Sequence, residues 1–300
     1  MPIAPALRRL DIELPACPRS LVELALLLDD EGVSLARVAA LIEADMALAA
    51  AVVRSVNGAH FGLLRRVGTV NEALQHLGFR EVCALTYAIG LRGAFPPSPF
   101  LESLWSRAGR RGRAMGACAA ALGIDPWQAH TTGLFGEVGA AALHRHDPLR
   151  SAELRAQAAE PLQRAAAEIA CFGVSHAALG GALCQVWGLA APVAEAVRQR
   201  PLAHALARAQ DEATAAPLRA DWAHEAPPLR RLLALLAATD LAPALDPLRP
   251  PTLDAEGFAA EADWARACGR LAQEAGLDAE LLVGELGRAL ACLDTQAAPA

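Results

Sequence analysis

The side chains of this 300-residue chain that stand at chemically useful spacings are mostly arginines. Arg107, Arg110, Arg111 and Arg113 cluster in a stretch with helical apolar spacing. Residues three or four apart share a helix face, so Arg107 would point with Arg111 and Arg110 with Arg113. Guanidinium groups can grip phosphate or carboxylate through two hydrogen bonds each. The plainer expectation for the cluster is a solvated face whose arginines pair with acidic neighbours at little gain in stability. His144 and His146 are two apart and would point to different faces, which disfavours a shared metal. His144-Arg145-His146-Asp147 instead fits a helix end, where cations complement the C-terminal dipole. His176 follows Ser175, which can cap a helix, and its ring would hydrogen-bond Glu168 as a structural contact rather than serve as a ligand. Seven cysteines occur singly (17, 83, 118, 171, 184, 268, 292) with no CxxC pair. They are expected as small core residues of a reducing cytoplasm.

The elements that position these groups are helices. Aromatics are 4% of the chain, and alanine and leucine, the strongest helix formers, dominate. Ser20 with Glu23 and Thr69 with Glu72 have capping-box spacing, and Asp125-Pro126 places a cap before a first-turn proline. Asp45 reads as another N-cap. Asn57-Gly58 reads as a helix stop in which Gly58 takes the left-handed conformation. Leu35, Val38 and Ile42 recur at helical spacing, as do Leu48, Val52 and Val56.

Short helices are therefore expected from Ser20 to Ala94, ending at Phe95-Pro96-Pro97-Ser98-Pro99, where helix cannot continue. A second block follows, with helices at Leu104–Leu122, Pro126–His146, Glu153–Ala170, Ser175–Trp187 and Ala191–Arg200. An Arg/Ala-rich stretch, an apolar helix at Leu229–Leu241 and a proline-rich loop at Pro243–Pro251 come next. Helices at Ala255–Ala275 and Asp278–Leu293 close the chain. The expected fold class is all-α, a multi-helix bundle divided into residues 1–97, 98–205 and 206–300, the last packing on the second. Trp105 and Trp187 are expected in the core.

The bulk numbers exclude several classes. A formal net charge of −6 argues against a general nucleic-acid surface. All 27 cationic side chains are arginine. The first residues lack an apolar signal core, and apolar runs such as Met46–Val53 fall short of the roughly 18 residues of a membrane span. A cytoplasmic protein without membrane attachment is expected.

Several motifs recur in order. Leu14-Pro15-Ala16-Cys17-Pro18 resembles "LPxxP"; Asp45-Met46-Ala47-Leu48, Val53 to Ala59 and Phe61-Gly62 resemble "DPxL…vLrlaNSaxfg". Val67-Gly68-Thr69-Val70-Asn71-Glu72-Ala73-Leu74 through Leu77-Gly78 resembles "isSixxAixxLG". Leu104-Trp105 resembles "fW", and Gly133-Leu134-Phe135-Gly136-Glu137-Val138-Gly139 resembles "GLLHDIG". Glu168, Phe172-Gly173, His176, Leu179-Gly180 and Trp187 resemble "E…fGxdHxxlGxxLxxxW". Together they resemble the HD-related output domain (HDOD) family over Leu14 to Arg200; beyond that only Leu235 to Asp240 is similar. The resemblance implies an HD-domain-like helical fold with an N-terminal sub-bundle and a role in bacterial signal transduction.

True HD phosphohydrolases hold a divalent metal that acidifies water and steadies phosphoryl charge, which requires neutral imidazoles and carboxylates. The resemblance places Arg107 at the first histidine, Gly136-Glu137 at the His-Asp pair, and Gln199-Arg200 at a later histidine pair. A guanidinium has no lone pair to give. Glu137, His176 and Asp240 are the survivors. The expectation is a degenerate site with no catalytic residue, no metal and no cofactor: a pseudoenzyme acting through protein partners, with a homodimer among the expectations. Alternatives are a nucleotide or anion receptor using Arg107, with Arg111 on the same face and a cyclic dinucleotide as one ligand, and a residual metallohydrolase using Glu137, His176 and Asp240.

Overall fold

The structure, a computed structural model, describes residues 19–28, 33–58, 66–158, 160–245 and 255–297. The motif at 14–18, Cys17, the Phe61-Gly62 pair and positions 246–251 of the proline-rich loop lie outside the described residues. No strand occurs among the described residues, and the architecture is all-α.

The N-terminal sub-bundle contains α1 (Arg19–Leu28), α2 (Leu35–Glu43), α3 (Met46–Val56), α4 (Val70–Leu77) and α5 (Phe79–Gly93). Local chemistry sets several ends. Asp45 Oδ1 accepts from the backbone N–H groups of Ala47 and Leu48 at 3.1 Å. Thr69 Oγ1 accepts from Glu72 N at 3.1 Å, while Glu72 accepts from Gly68 N at 2.6 Å, a reciprocal arrangement that satisfies two first-turn donors. Ser20, expected as a cap, lies inside α1, which already runs from Arg19. Gly58 is not left-handed. The stop after α3 comes from Asn57, whose amide donates to Val53 O (2.9 Å) and Val67 O (2.8 Å) and accepts from Val67 N (2.9 Å). That clamp makes positive φ at residue 58 unnecessary.

The second block begins with α6 (Pro99–Cys118), capped by Ser98. Then come α7 (Pro126–Phe135), α8 (Val138–His146), α9 (Pro148–Gln157), α10 (Pro161–Phe172), α11 (His176–Val186) and α12 (Ala191–Arg208). A single helix over Pro126–His146 is not what forms. The chain breaks at Gly136-Glu137, where Glu137 takes φ −118° and ψ 12°. The break turns α8 onto α11, with Gly139 against the backbone of His176 and Gly180. Glu153–Ala170 is likewise two helices, because Pro161 starts α10 at its first turn. Conversely, α12 does not stop at Arg200 but continues through Pro201 to Arg208.

The remaining helices are α13 (Glu212–Ala223), α14 (Pro227–Asp240), α15 (Ala255–Ala275) and α16 (Ala279–Ala297). Two apolar cores result. One joins the sub-bundle to the first half of α6, to α8 and to α11, and holds Trp105 and Trp187. The other gathers the second half of α6 with α12, α14, α15 and α16, so the apolar faces of the last two helices are buried within the chain. Cys83, Cys118, Cys184 and Cys268 are buried as expected, whereas Cys171 and Cys292 are exposed. Among the described residues no single helix is long and apolar enough to cross a membrane; α10 and α11 pass together by length and composition but bend by 77°.

Candidate functional site

The site forms where α6, the α7–α8 break, α12 and the end of α14 converge. On α6 the buried series Leu104, Ala108, Arg111, Met115 follows the three- and four-residue spacing of a core-facing stripe, and Arg111 is the charged member of it. Its side chain is only 3% exposed, so the solvated-face expectation for the cluster fails at this residue. The stripe's period directs Arg111 inward, and burial is compensated by partners.

Those partners are specific. Arg111 Nε–H donates to Gly133 O at 2.6 Å, taking a carbonyl left open near the end of α7. Its Nη1 donates to Asp240 Oδ1 at 2.7 Å and to Glu137 Oε2 at 3.3 Å. Arg200 Nε donates to Asp240 Oδ2 at 2.7 Å, and Arg200 Nη2 lies 3.7 Å from Glu137 Oε1. His204 Nε2 donates to Asp240 Oδ2 at 2.8 Å. Arg107, the more exposed neighbour at 29%, approaches Glu137 Oε2 only to 3.8 Å and donates to Ser103. Two buried carboxylates therefore sit in a frame of guanidinium groups.

Electrostatics follow from this frame. Burial pushes the Glu137 carboxyl up, but the fields of Arg200, Arg111 and Arg107 outweigh it and hold it at about 2. Asp240 is likewise pushed up by burial and pulled well below the usual carboxylate range by Arg111, Arg200 and His204. Both are ionised at neutral pH. Burial lowers the His204 imidazole, against the opposing pull of Asp240.

His176 takes no part in that frame. Its backbone N–H and its Nδ1 both meet Glu168 Oε2, at 2.7 and 2.5 Å, and Ser175 caps the helix as expected. Arg164 Nη2 lies 3.3 Å from His176 Nε2. A guanidinium can only donate, so Nε2 accepts and the proton resides on Nδ1. Burial keeps the ring's pKa low despite the opposing effect of Glu168. His144 lies in the last turn of α8, contacts Ser98 Oγ at 3.2 Å and packs on Phe100, whereas His146 packs on Phe172.

The residues present do not fit a divalent metal. A cation needs free lone pairs, and those of Glu137 and Asp240 face Arg111 and Arg200. A Cβ at Gly136 would lie 3.2 Å from Arg111 Nη2, so an imidazole there would compete with the guanidinium for space. Among the described residues no group of three or more His, Cys, Asp or Glu side chains is placed to hold a metal. Of the expected site residues, Arg107, Arg111, Gly136, Glu137 and Asp240 do converge, and His176 stands apart. Arg200 is expected only at the position of a lost histidine, and His204 lies beyond Arg200, the expected end of its helix. The signal for His204 was its position four residues after Arg200, on one face if the helix continues.

This geometry has relatives. The HDOD domain model matches residues 14–201. An uncharacterised protein of Treponema pallidum (strain Nichols) is 29% identical over 192 residues, which is 62% of this chain and 37% of that protein; the chain thus spans little more than a third of that relative. Among solved structures, a candidate phosphohydrolase from Shewanella amazonensis SB2B superposes with a TM-score of 0.66 at 21% identity, covering 98% of both chains. A candidate signal transduction protein from Marinobacter aquaeolei VT8 gives 0.68 at 18% identity, covering 97% of this chain and 62% of that one. An HDOD domain protein of unknown function from Geobacter sulfurreducens gives 0.65 at 20%, covering 97% and 95%. At these identities the structures speak for the shared HD-like helical fold, while the family model covers well over half of the sequence. The chain belongs to the HDOD family.

Proposed function

We propose that the chain is a non-catalytic signal-transduction module that acts through contacts with protein partners in the cytoplasm. The observation that carries this reading is the pairing of Glu137 and Asp240 with Arg111 and Arg200. Carboxylates that would hold a metal are neutralised by fixed cations, so the scaffold is kept while the means of activating water is replaced. The signalling role is carried over by analogy from the family and from the Marinobacter relative. Large apolar side chains left open at Met46 and Leu149 are available to a protein partner, a second copy of the chain included.

The test is metal content together with hydrolysis. Protein isolated without chelators should contain no stoichiometric transition metal, and added manganese or magnesium should elicit no phosphodiester cleavage. Metal-dependent cleavage abolished by Glu137→Ala would sink the proposal and restore the metallohydrolase reading. Solution mass separately decides between monomer and homodimer.

A further inference from the structure

A cleft of about 1120 Å³ opens above Glu137 and Asp240, between α6, α10, α12, α14 and α15. Seven arginines line it against four carboxylates, in a chain whose formal net charge is −6. Local pairing uses up the carboxylates. Glu137 and Asp240 hold Arg111 and Arg200, Glu160 lies 3.9 Å from Arg208, and Asp263 pairs with Arg266. Three guanidinium groups on three different helices remain in excess: Arg107, Arg164 and Arg270. Arg107 has only its long approach to Glu137 and a serine contact. Arg164 approaches Glu168, which is not one of the four lining carboxylates, at 3.9 Å and donates from Nη2 to His176 Nε2 at 3.3 Å, while its Nε is buried without a hydrogen-bond partner. Arg111 Nη2 is a second buried donor without a partner in the same cleft. Unmet buried donors of one sign call for an acceptor.

We infer that this cleft binds a nucleotide carrying two or more phosphates, gripped by Arg107, Arg164 and Arg270. Several cations on separate helices suit linked phosphates better than a single small anion, because each planar guanidinium can meet a different phosphoryl oxygen pair. The volume exceeds what inorganic phosphate needs and reaches the upper range of small-molecule sites. Trp264, fixed by its Nε1–H to Ala238 O at 2.8 Å, supplies an apolar wall. The inference takes up the receptor reading of Arg107 and adds Arg164 and Arg270. It goes beyond the non-catalytic reading and does not depend on it, since binding by these guanidinium groups is the same whether or not the ligand is cleaved.

Calorimetry on the full chain with orthophosphate, inorganic pyrophosphate, GTP and a cyclic dinucleotide tests it. Pyrophosphate and at least one nucleotide should bind, orthophosphate far more weakly, and added salt should reduce the affinity. The comparison of pyrophosphate with the nucleotides separates the phosphate contribution from that of the base. Arg164→Gln and Arg270→Gln should each weaken binding about ten-fold, the effect of losing one charged hydrogen bond. Arg54→Gln, on α3 away from the cleft, should leave it unchanged. Arg270 lies on an outer helix and decides the matter should Arg164→Gln fail to fold. No heat from any di- or triphosphate at millimolar concentration, or unchanged affinity in Arg270→Gln, overturns the inference. Chromatography of the bound nucleotide keeps the two proposals apart: hydrolysis would sink the non-catalytic reading alone, and absence of binding would sink the cleft inference alone.

Discussion

Arg111 and Asp240 are 129 residues apart in sequence and 2.7 Å apart in the fold, Nη1 to Oδ1. Through Glu137 and Arg200 this contact ties α6, the α7–α8 break, α12 and α14 into one buried ionic frame. A frame of this kind is weak evidence for stability as a whole, because each ion has lost its water. Breaking it from one side is a different matter.

Arg111→Gln should cost about 3–5 kcal/mol in urea unfolding, since it removes the cation that hydrogen-bonds both buried carboxylates and leaves them to Arg200 and His204. Arg107→Gln should cost less than about 1 kcal/mol, because its guanidinium is partly solvated and 3.8 Å from Glu137. Equal losses for the two variants would contradict the geometry.

The depressed carboxylates make a signed prediction about acid. Glu137 falls from 4.5 to about 2 on folding and Asp240 falls below its ordinary 3.8. The unfolded chain therefore binds more protons at low pH, so the stability they contribute is fully present above the unfolded values. It is lost as pH drops from about 5 toward 2. Stability measured over that window should fall less steeply in Glu137→Gln than in the wild type, each taken relative to its own value at pH 7. Parallel slopes would place Glu137 in water.

Gly139→Ala should be among the most damaging single-atom-group additions. Its Cβ would lie 1.9 Å from His176 O and 2.5 Å from Gly180 N, both backbone atoms that cannot swing aside. Separation of α8 from α11 should cost about 1–3 kcal/mol or more, measurable as a lowered thermal midpoint. Gly269→Ala on α15 meets nothing within 4 Å and should instead stabilise by about 0.5–1 kcal/mol. Similar shifts for both would refute the close approach.

Asn57→Ala removes three hydrogen bonds that pin the end of α3 to the segment before α4. Val67 then loses its partners at both N–H and C=O, and a loss of about 1–3 kcal/mol is expected. Amide hydrogen exchange at Val67 gives a local readout: protection should drop there in the variant, and unchanged protection would show that the clamp is redundant.

Helix ends were largely legible without coordinates, because capping is chemistry between residues two or three apart. Asp45, Thr69, Asp125 and Ser175 each cap the helix that their neighbours announce. The break at Gly136-Glu137 is less visible, since helix-forming sequence lies on either side and packing dictates the turn, whereas the break before Pro161 has a local signal in the proline that opens α10. At Pro201 the difference runs in the opposite direction, since α12 continues past the expected end at Arg200. The surrounding core holds α12 together across a residue that would end an isolated helix.

By itself the sequence determined the all-helical class, the family motifs and the arginine at 107 and glycine at 136, since each is written in residue types or short spacings. Tertiary structure alone decided which cations meet Glu137 and Asp240. Arg107 and Arg111 are one turn apart; the apolar stripe of α6 runs through Arg111, but a stripe carries no information on which groups meet it inside. Only the packing of α6 and of α12 against α14 puts Arg111 between the carboxylates and brings Arg200 and His204 to Asp240. Those contacts span 36 to 129 residues, and no local pattern encodes the packing that closes them.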